Sequence, residues 1–169
     1  MKIVLGMPAF NEGEKIEGII NEIKNLVDDI IVCNDGSTDS TGIIAQKMGA
    51  IVINHKKNLG YGSAINSIFS KAREMEADIL ITFDADGQHR SKDIQSVIQP
   101  IVNGEADIVI GSRFFGNEIE MPRYRKFGIK TITSLANISS EIKLSDSQSG
   151  FRAYNHKSLS EIFLTEKGM

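Results

Sequence analysis

Apolar residues along the chain fall into two alternating patterns. Short Ile- and Val-rich runs read as buried strands at Lys2–Met7, Asp29–Asn34, Ile51–Ile53, Asp78–Phe83 and Ala106–Gly111. Between them apolar positions recur at helical spacing. Ile16, Ile19, Ile20, Ile23, Leu26 and Val27 mark a helix over Glu14–Leu26, and further helices are expected up to about Met48, over Tyr61–Met75 and near Lys92–Val102. Strand and helix thus alternate from β through to a fifth β. The alternation predicts an α/β fold, with a mainly parallel sheet covered by helices on both faces. Right-handed crossovers then bring the carboxyl ends of the parallel strands to one edge.

Beyond Phe114 the pattern is weaker. Asn117–Tyr124, with Pro122, reads as a loop, and Arg125–Ile138 as a helix. Asp146–Tyr154 mixes turn residues with a short strand, and a brief helix is expected near Lys157–Phe163. No repeat, low-complexity tract or linker interrupts the chain, so residues 1–169 are expected to form a single domain.

Composition narrows the function classes. Hydrophobic residues make up 41% and charged residues 24% of the chain, as in soluble globular domains. A net charge of −3 argues against a nucleic-acid partner. The single Cys33 cannot pair within the chain; it lies in an apolar run and reads as buried strand filler. Met1 leads directly into a strand-like run, and no apolar stretch reaches the roughly 20 residues of a membrane helix. A cytoplasmic protein is expected, with at most peripheral contact with the cytoplasmic face of a membrane.

The chemistry is concentrated where strands end. In open α/β sheets ligands bind beyond the carboxyl ends of the strands. There the first run delivers Pro8-Ala-Phe10-Asn11-Glu12 and the second Asn34-Asp35-Gly36-Ser37. The fourth delivers Asp84-Ala85-Asp86-Gly87-Gln88-His89, and the fifth Gly111-Ser112-Arg113. Asp84 and Asp86 repel each other unless a cation joins them, and all-oxygen ligation suits Mg²⁺ or Mn²⁺ with a substrate phosphate. Gln88 can add a carbonyl oxygen. The competing reading of the pair is a solvated acidic turn before a helix; its place directly after a buried strand favours the metal.

Ser37 and Asp39 read mainly as helix caps, which leaves Asp35 free to contact a nucleoside. Glu12 stays open between a partner for a helix dipole and a ligand contact. Asn58-Leu-Gly60-Tyr-Gly62 reads as a packing turn at a helix N-terminus in preference to a phosphate loop. His55 and His156 have no metal-ligand companions and read as surface residues, while His89 stays open between solvent exposure and a role in the site. Arg113, Arg123, Arg125, Lys126 and Lys130 form a basic set, and the guanidinium fork of Arg113 matches phosphate geometry.

These motifs occur in order, together with Asp146-Ser-Gln-Ser149-Gly150-Phe151-Arg152, over nearly the whole chain. Together they resemble the family 2 glycosyltransferases of GT-A fold, and among them the dolichol-phosphate mannosyltransferases and related polyprenyl-phosphate glycosyltransferases. The resemblance implies that Pro8, Phe10, Glu12 and Asp35 line a nucleoside pocket. It implies that Asp84-Ala85-Asp86 serves the diphosphate and metal, with Gln88 as a further ligand. Arg113 and one of Arg123 or Arg125 would face an acceptor phosphate, and Asp146 with Ser149–Arg152 would close the acceptor side. Members usually continue into a segment with another basic residue near the donor phosphates, so the 1–169 catalytic domain is expected to be shortened at its C-terminus.

The expected reaction is an inverting transfer of a hexose, mannose or glucose, from GDP-mannose or a UDP-sugar to a polyprenyl or dolichyl phosphate. Asp86 would act through the metal and Arg113 on the acceptor phosphate. With a sugar hydroxyl as acceptor a base is required, and Asp146 is the candidate. A nucleotidyltransferase would carry a glycine-rich basic loop after its first strand, and Pro8–Glu12 is not one. A catalytically silent nucleotide-sugar-binding module is the remaining alternative.

Overall fold

The computed structural model describes residues 1–85, 91–112, 146 and 149–162. The predicted helix over 125–138, the 117–124 loop, and Asp86, Gln88, His89, Arg113, Arg123 and Arg125 lie outside the described residues.

The alternating elements form as the apolar pattern predicts, with ends shifted by a few residues. They are β1 (Ile3–Ala9), α1 (Ile16–Ile23), β2 (Asp29–Asn34), α2 (Thr41–Lys47), β3 (Ile51–Asn54), α3 (Tyr61–Glu74), β4 (Ile79–Thr82), α4 (Ile94–Val102) and β5 (Ile108–Ile110). A short 3₁₀ turn, Ser91–Asp93, precedes α4. Two further described elements are β6 (Arg152–Asn155) and α5 (His156–Glu161). The Asn155 side chain caps α5 by accepting from Ser158 N at 2.8 Å. No described helix is long and apolar enough to cross a membrane.

Among the described residues the strands form one sheet in the order β3-β2-β1-β4-β6-β5. β1 pairs in parallel with both β2 and β4, and β2 with β3. β6 runs antiparallel between β4 and β5, with Thr82 and Ile110 both opposite Arg152. The sheet is therefore mainly parallel, as expected, but β4 and β5 are not neighbours. A strand from the turn-rich end of the chain separates them. Because β6 runs against its neighbours, its entry segment, Ser149–Phe151, lies at the same edge as the carboxyl ends of β4 and β5.

Side-chain alternation along the strands divides the core in two. Leu5, Ile30, Val32, Ile79 and Ile81 face α1, α2 and α4, where Ile16, Ile20, Ile23, Ala45, Ile94, Val97 and Ile98 are buried. Val4, Ile31, Cys33 and Leu80 face α3 and α5, against Ala64, Ile65, Ile68, Phe69, Ala72 and Leu159. Each large aliphatic side chain buried in this way contributes about 1.5–3 kcal/mol. Arg73 ties the second layer together: its Nε donates to Leu159 O at 2.6 Å, a second guanidinium N–H donates to Ile162 O, and its cation lies 5.9 Å from the Phe69 ring centroid.

Gly6 sits on this second face, where the lack of a side chain lets α3 approach β1. An added Cβ would lie 2.1 Å from Ile68 Cγ2, and Ile68 is fully buried. Gly6→Ala is expected to lower stability by ~1–3 kcal/mol through overpacking, seen in urea as a lower midpoint with an unchanged slope. A wild-type midpoint would show that α3 does not seat on β1 at this residue.

Candidate functional site

The strand order reverses between β1 and β4, because the chain builds outward to β3 on one side and then returns to place β4 on the other. The crevice beyond their carboxyl ends is the topological switch point of the sheet, where open α/β folds bind ligands. Pairing of β1 with β4 ends at Gly6–Thr82, and Phe83 N donates to Gly6 O at 2.9 Å. Pro8 stands two residues further along the same side of β1. Its missing N–H thus falls where β4 has already left, so a proline is tolerated in this central strand. Phe10 follows at the rim with 45% of its surface exposed.

The loops after β1 and β2 are fastened to each other. Asn11, in the left-handed region at φ 55°, donates its N–H to Ser37 Oγ at 3.0 Å and accepts from Thr38 N at 2.9 Å. Glu12 N donates to Thr41 Oγ1 at 2.9 Å, and Gly13 N to Asp39 Oδ2 at 3.0 Å. Hydrogen bonds from the Thr41 hydroxyl and backbone N–H hold the Asp39 carboxyl below its ordinary range.

Two readings of these loops are corrected. Ser37 makes a cross-loop bond and does not cap α2, whose N-cap is Ser40 without a side-chain bond. Glu12 lies ahead of α1, and the acid in that helix's first turn is Glu17. The Glu12 carboxylate instead pairs with Lys15 at 3.2 Å, and its carbonyl accepts the N–H groups of Lys15 and Ile16.

Asp35 and His55 also depart from expectation. Asp35 is only 4% exposed, so its carboxylate is not free. It accepts from Leu59 N at 3.0 Å and Gly60 N at 2.9 Å, and meets His55 Nδ1 at 2.6 Å. His55 is therefore no surface residue: its side chain is 10% exposed, and Nε2 lies 2.8 Å from Ser67 Oγ on α3 and 3.6 Å from Cys33 Sγ. The signal for this pair was present in the strand register. β2 and β3 end level at Asn34 and Asn54, which puts the next residues, Asp35 and His55, side by side.

The 58–62 turn behaves as a packing turn. Gly60 takes φ 89°, which only glycine adopts without strain, and Asp35 accepts the N–H groups that a phosphate would otherwise use. Cys33 is buried as predicted, and burial first, then the charge of Asp35, pushes its thiol up to about 12. His156 remains an exposed residue, its Nδ1 donating to Ala77 O at 3.1 Å.

At the end of β4, Asp84 is partly exposed and Ala85 buried. Tyr61, the first residue of α3, donates its hydroxyl to Asp84 Oδ1 at 3.2 Å. More than half of Tyr61 is exposed, yet its hydroxyl end is packed. Burial of that end, then the charge and hydrogen bond of Asp84, raise the phenol above its ordinary value, while the nearby Arg152 cation opposes the rise. Arg152 Nε donates to Ser149 O at 2.8 Å, and Thr82 Oγ1 donates to Gly150 O at 2.7 Å. The structure thus brings Asp84, Tyr61, Gly150 and Arg152 together at the switch-point edge. Asp146 is 1% exposed.

No three His, Cys, Asp or Glu side chains among the described residues form a metal site by themselves. A hard divalent cation does not need that many: Mg²⁺ typically takes one or two carboxylates, water and substrate phosphate oxygens. Asp84 is an oxygen donor at the open edge, and this chemistry fits Mg²⁺ or Mn²⁺.

A mainly parallel sheet with an antiparallel strand inserted beside β4, and an acidic residue at its switch point, is the architecture of the GT-A glycosyltransferases. It superposes with a TM-score of 0.72 on glucosyl-3-phosphoglycerate synthase from Mycobacterium tuberculosis, solved with Mn²⁺, UDP and glucosyl-3-phosphoglycerate. That match has 25% identity and covers 92% of this chain and 57% of the other, so the chain spans little more than half of that structure. Glycosyl transferase family 2 matches residues 5–163, and the chain belongs to that family.

Among its relatives, UDP-N-acetylglucosamine–dolichyl-phosphate N-acetylglucosaminyltransferase of Methanococcus voltae is 36% identical over 93% of this chain and 70% of its own. Dolichol-phosphate mannosyltransferase of Pyrococcus furiosus is 35% identical over 75% of this chain and 38% of its own.

Two outcomes follow from the buried network. Thiol reagents at pH 8 are expected to leave Cys33 unmodified in the native protein and to react once it is unfolded; rapid native labelling would contradict the burial. Asp35→Ala removes the acceptor for His55 and Leu59 N, and is expected to cost ~1–3 kcal/mol in urea unfolding and to speed amide exchange at Leu59. An unchanged midpoint with unchanged exchange would show that the loop is held by other means.

Proposed function

We propose that the protein transfers a hexose or N-acetylhexosamine from a nucleotide-diphosphate sugar to a polyprenyl phosphate, with inversion and with a divalent metal, Mg²⁺ or Mn²⁺. The observation that carries this reading is Asp84 at the switch-point end of β4, with the Arg152 segment of β6 beside it. The names of the Methanococcus and Pyrococcus relatives supply the acceptor class. They also divide between UDP-N-acetylglucosamine and mannose, so both UDP- and GDP-sugars are candidate donors.

In this reading Pro8, Phe10, Glu12 and the Asp35 loop border the nucleoside, while Asp84, Asp86 and Gln88 hold the metal. The metal supplies charge neutralisation for the departing nucleoside diphosphate. Arg113, with Arg123 or Arg125 and Arg152, offsets the repulsion between an anionic acceptor and the donor phosphates. A phosphate oxygen is already anionic near neutral pH and attacks the anomeric carbon without a base. The acceptor class also implies work at a membrane surface, with the catalytic edge facing the lipid phosphate.

The test incubates the purified protein and Mn²⁺ with UDP-N-acetylglucosamine, UDP-glucose or GDP-mannose, offering a short-chain polyprenyl phosphate or its alcohol. Transfer is expected to the phosphate only, with inverted anomeric configuration by NMR. Asp84→Asn is expected to reduce it about a hundredfold, as for the loss of other charge-stabilising groups. Equal transfer to the alcohol would favour a hydroxyl acceptor, and donor binding with neither transfer nor nucleotide release would favour a binding module.

A further inference from the structure

The start of α3 is held from two sides. The Leu59 and Gly60 N–H groups end on the Asp35 carboxylate, and one helical turn and more further on, Ser67 meets His55, which itself grips Asp35. Tyr61 therefore leaves a backbone fixed to the ends of β2 and β3, and its side chain crosses to the end of β4. Its hydroxyl donates to Asp84 Oδ1 at 3.2 Å. On the other side Gly150 backs the same carboxylate. A Cβ at residue 150 would lie 2.4 Å from Asp84 Oδ2 and 2.7 Å from both Asp84 Oδ1 and the Tyr61 hydroxyl. The carboxylate is thus seated between a phenol and a backbone that has room for nothing larger than glycine.

We infer that Tyr61 is a positioning residue for Asp84: its hydroxyl fixes the orientation in which that carboxylate meets the divalent cation and diphosphate of the donor. The inference rests on the donor-site reading above. Carboxylates that ligate metals are themselves oriented by hydrogen bonds, and loss of such a partner typically lowers metal affinity 10–100-fold. Tyr61 suits that role because it is half exposed and belongs to neither buried cluster of the core. Removal of the hydroxyl alone leaves the core intact.

Calorimetric titration of UDP and GDP, with Mn²⁺ and with a chelator, into the wild type, Tyr61→Phe and Asp84→Asn separates the inference from its premise. Asp84→Asn is expected to lose the Mn²⁺-dependent gain in nucleotide affinity. Tyr61→Phe is expected to lose about tenfold of that gain, with its metal-free affinity and thermal midpoint unchanged. A merely structural role would lower affinity equally with and without Mn²⁺, and that result, or a Tyr61→Phe gain within about twofold of wild type, would overturn the inference alone. Wild-type Mn²⁺ dependence in Asp84→Asn, or none in the wild type with either nucleotide, would overturn the donor-site reading itself.

Discussion

A carboxylate taken out of water must find donors, and Asp35 finds them on two separate segments. Its burial is balanced by the His55 ring at the end of β3 and by two backbone N–H groups of the turn before α3. Leaving such a charge unpaired would cost several kcal/mol, so the ends of β2 and β3 and the start of α3 are obliged to converge on it. The same convergence decides where Tyr61 begins, and through Tyr61 it reaches Asp84 on the far side of the crevice. A buried carboxylate thus fixes where Tyr61, the hydrogen-bond partner of Asp84, begins.

The sheet adds a second constraint. β1 parts from β4 after Gly6, and a residue without an N–H stands where they separate. The crevice this opens is bordered by the fastened loops of β1 and β2 on one side and by the β4 end on the other. Insertion of β6 against the direction of its neighbours then carries Gly150 and Arg152 back to that edge. Segments far apart in sequence are brought together by strand direction alone, across 68 residues in the case of Thr82 and Gly150. The solved glucosyl-3-phosphoglycerate synthase superposes on this layout with a TM-score of 0.72.

Much of this was legible in the residues. The five alternating strands, the helices between them and the division of the core follow from periodicity, which is a local property of the backbone. Burial of Cys33, the packing turn at Gly60 and the position of Asp84 just past a strand end follow from the same pattern. The family was legible as well, because its motifs sit at strand ends in a fixed order. What periodicity does not carry is which strands become neighbours. The placement of β6 between β4 and β5 depends on pairing across the chain, and a four-residue strand among turn residues has too little pattern to announce it.

Polar partnerships were hidden for the same reason. His55 has no companion nearby in sequence, and Asp35 looked free because no cap required it; their 2.6 Å contact exists only when β2 and β3 lie in register. Ser37 had the composition of a cap, yet the loop after β1 offered its hydroxyl a better donor in Asn11. The sequence by itself therefore determined the elements, the two-sided core, the family and which residues stand at the strand ends. Tertiary structure alone decided the strand order, the buried Asp35–His55 pair and the seat of Asp84, since hydrogen bonds between distant segments depend on their relative placement.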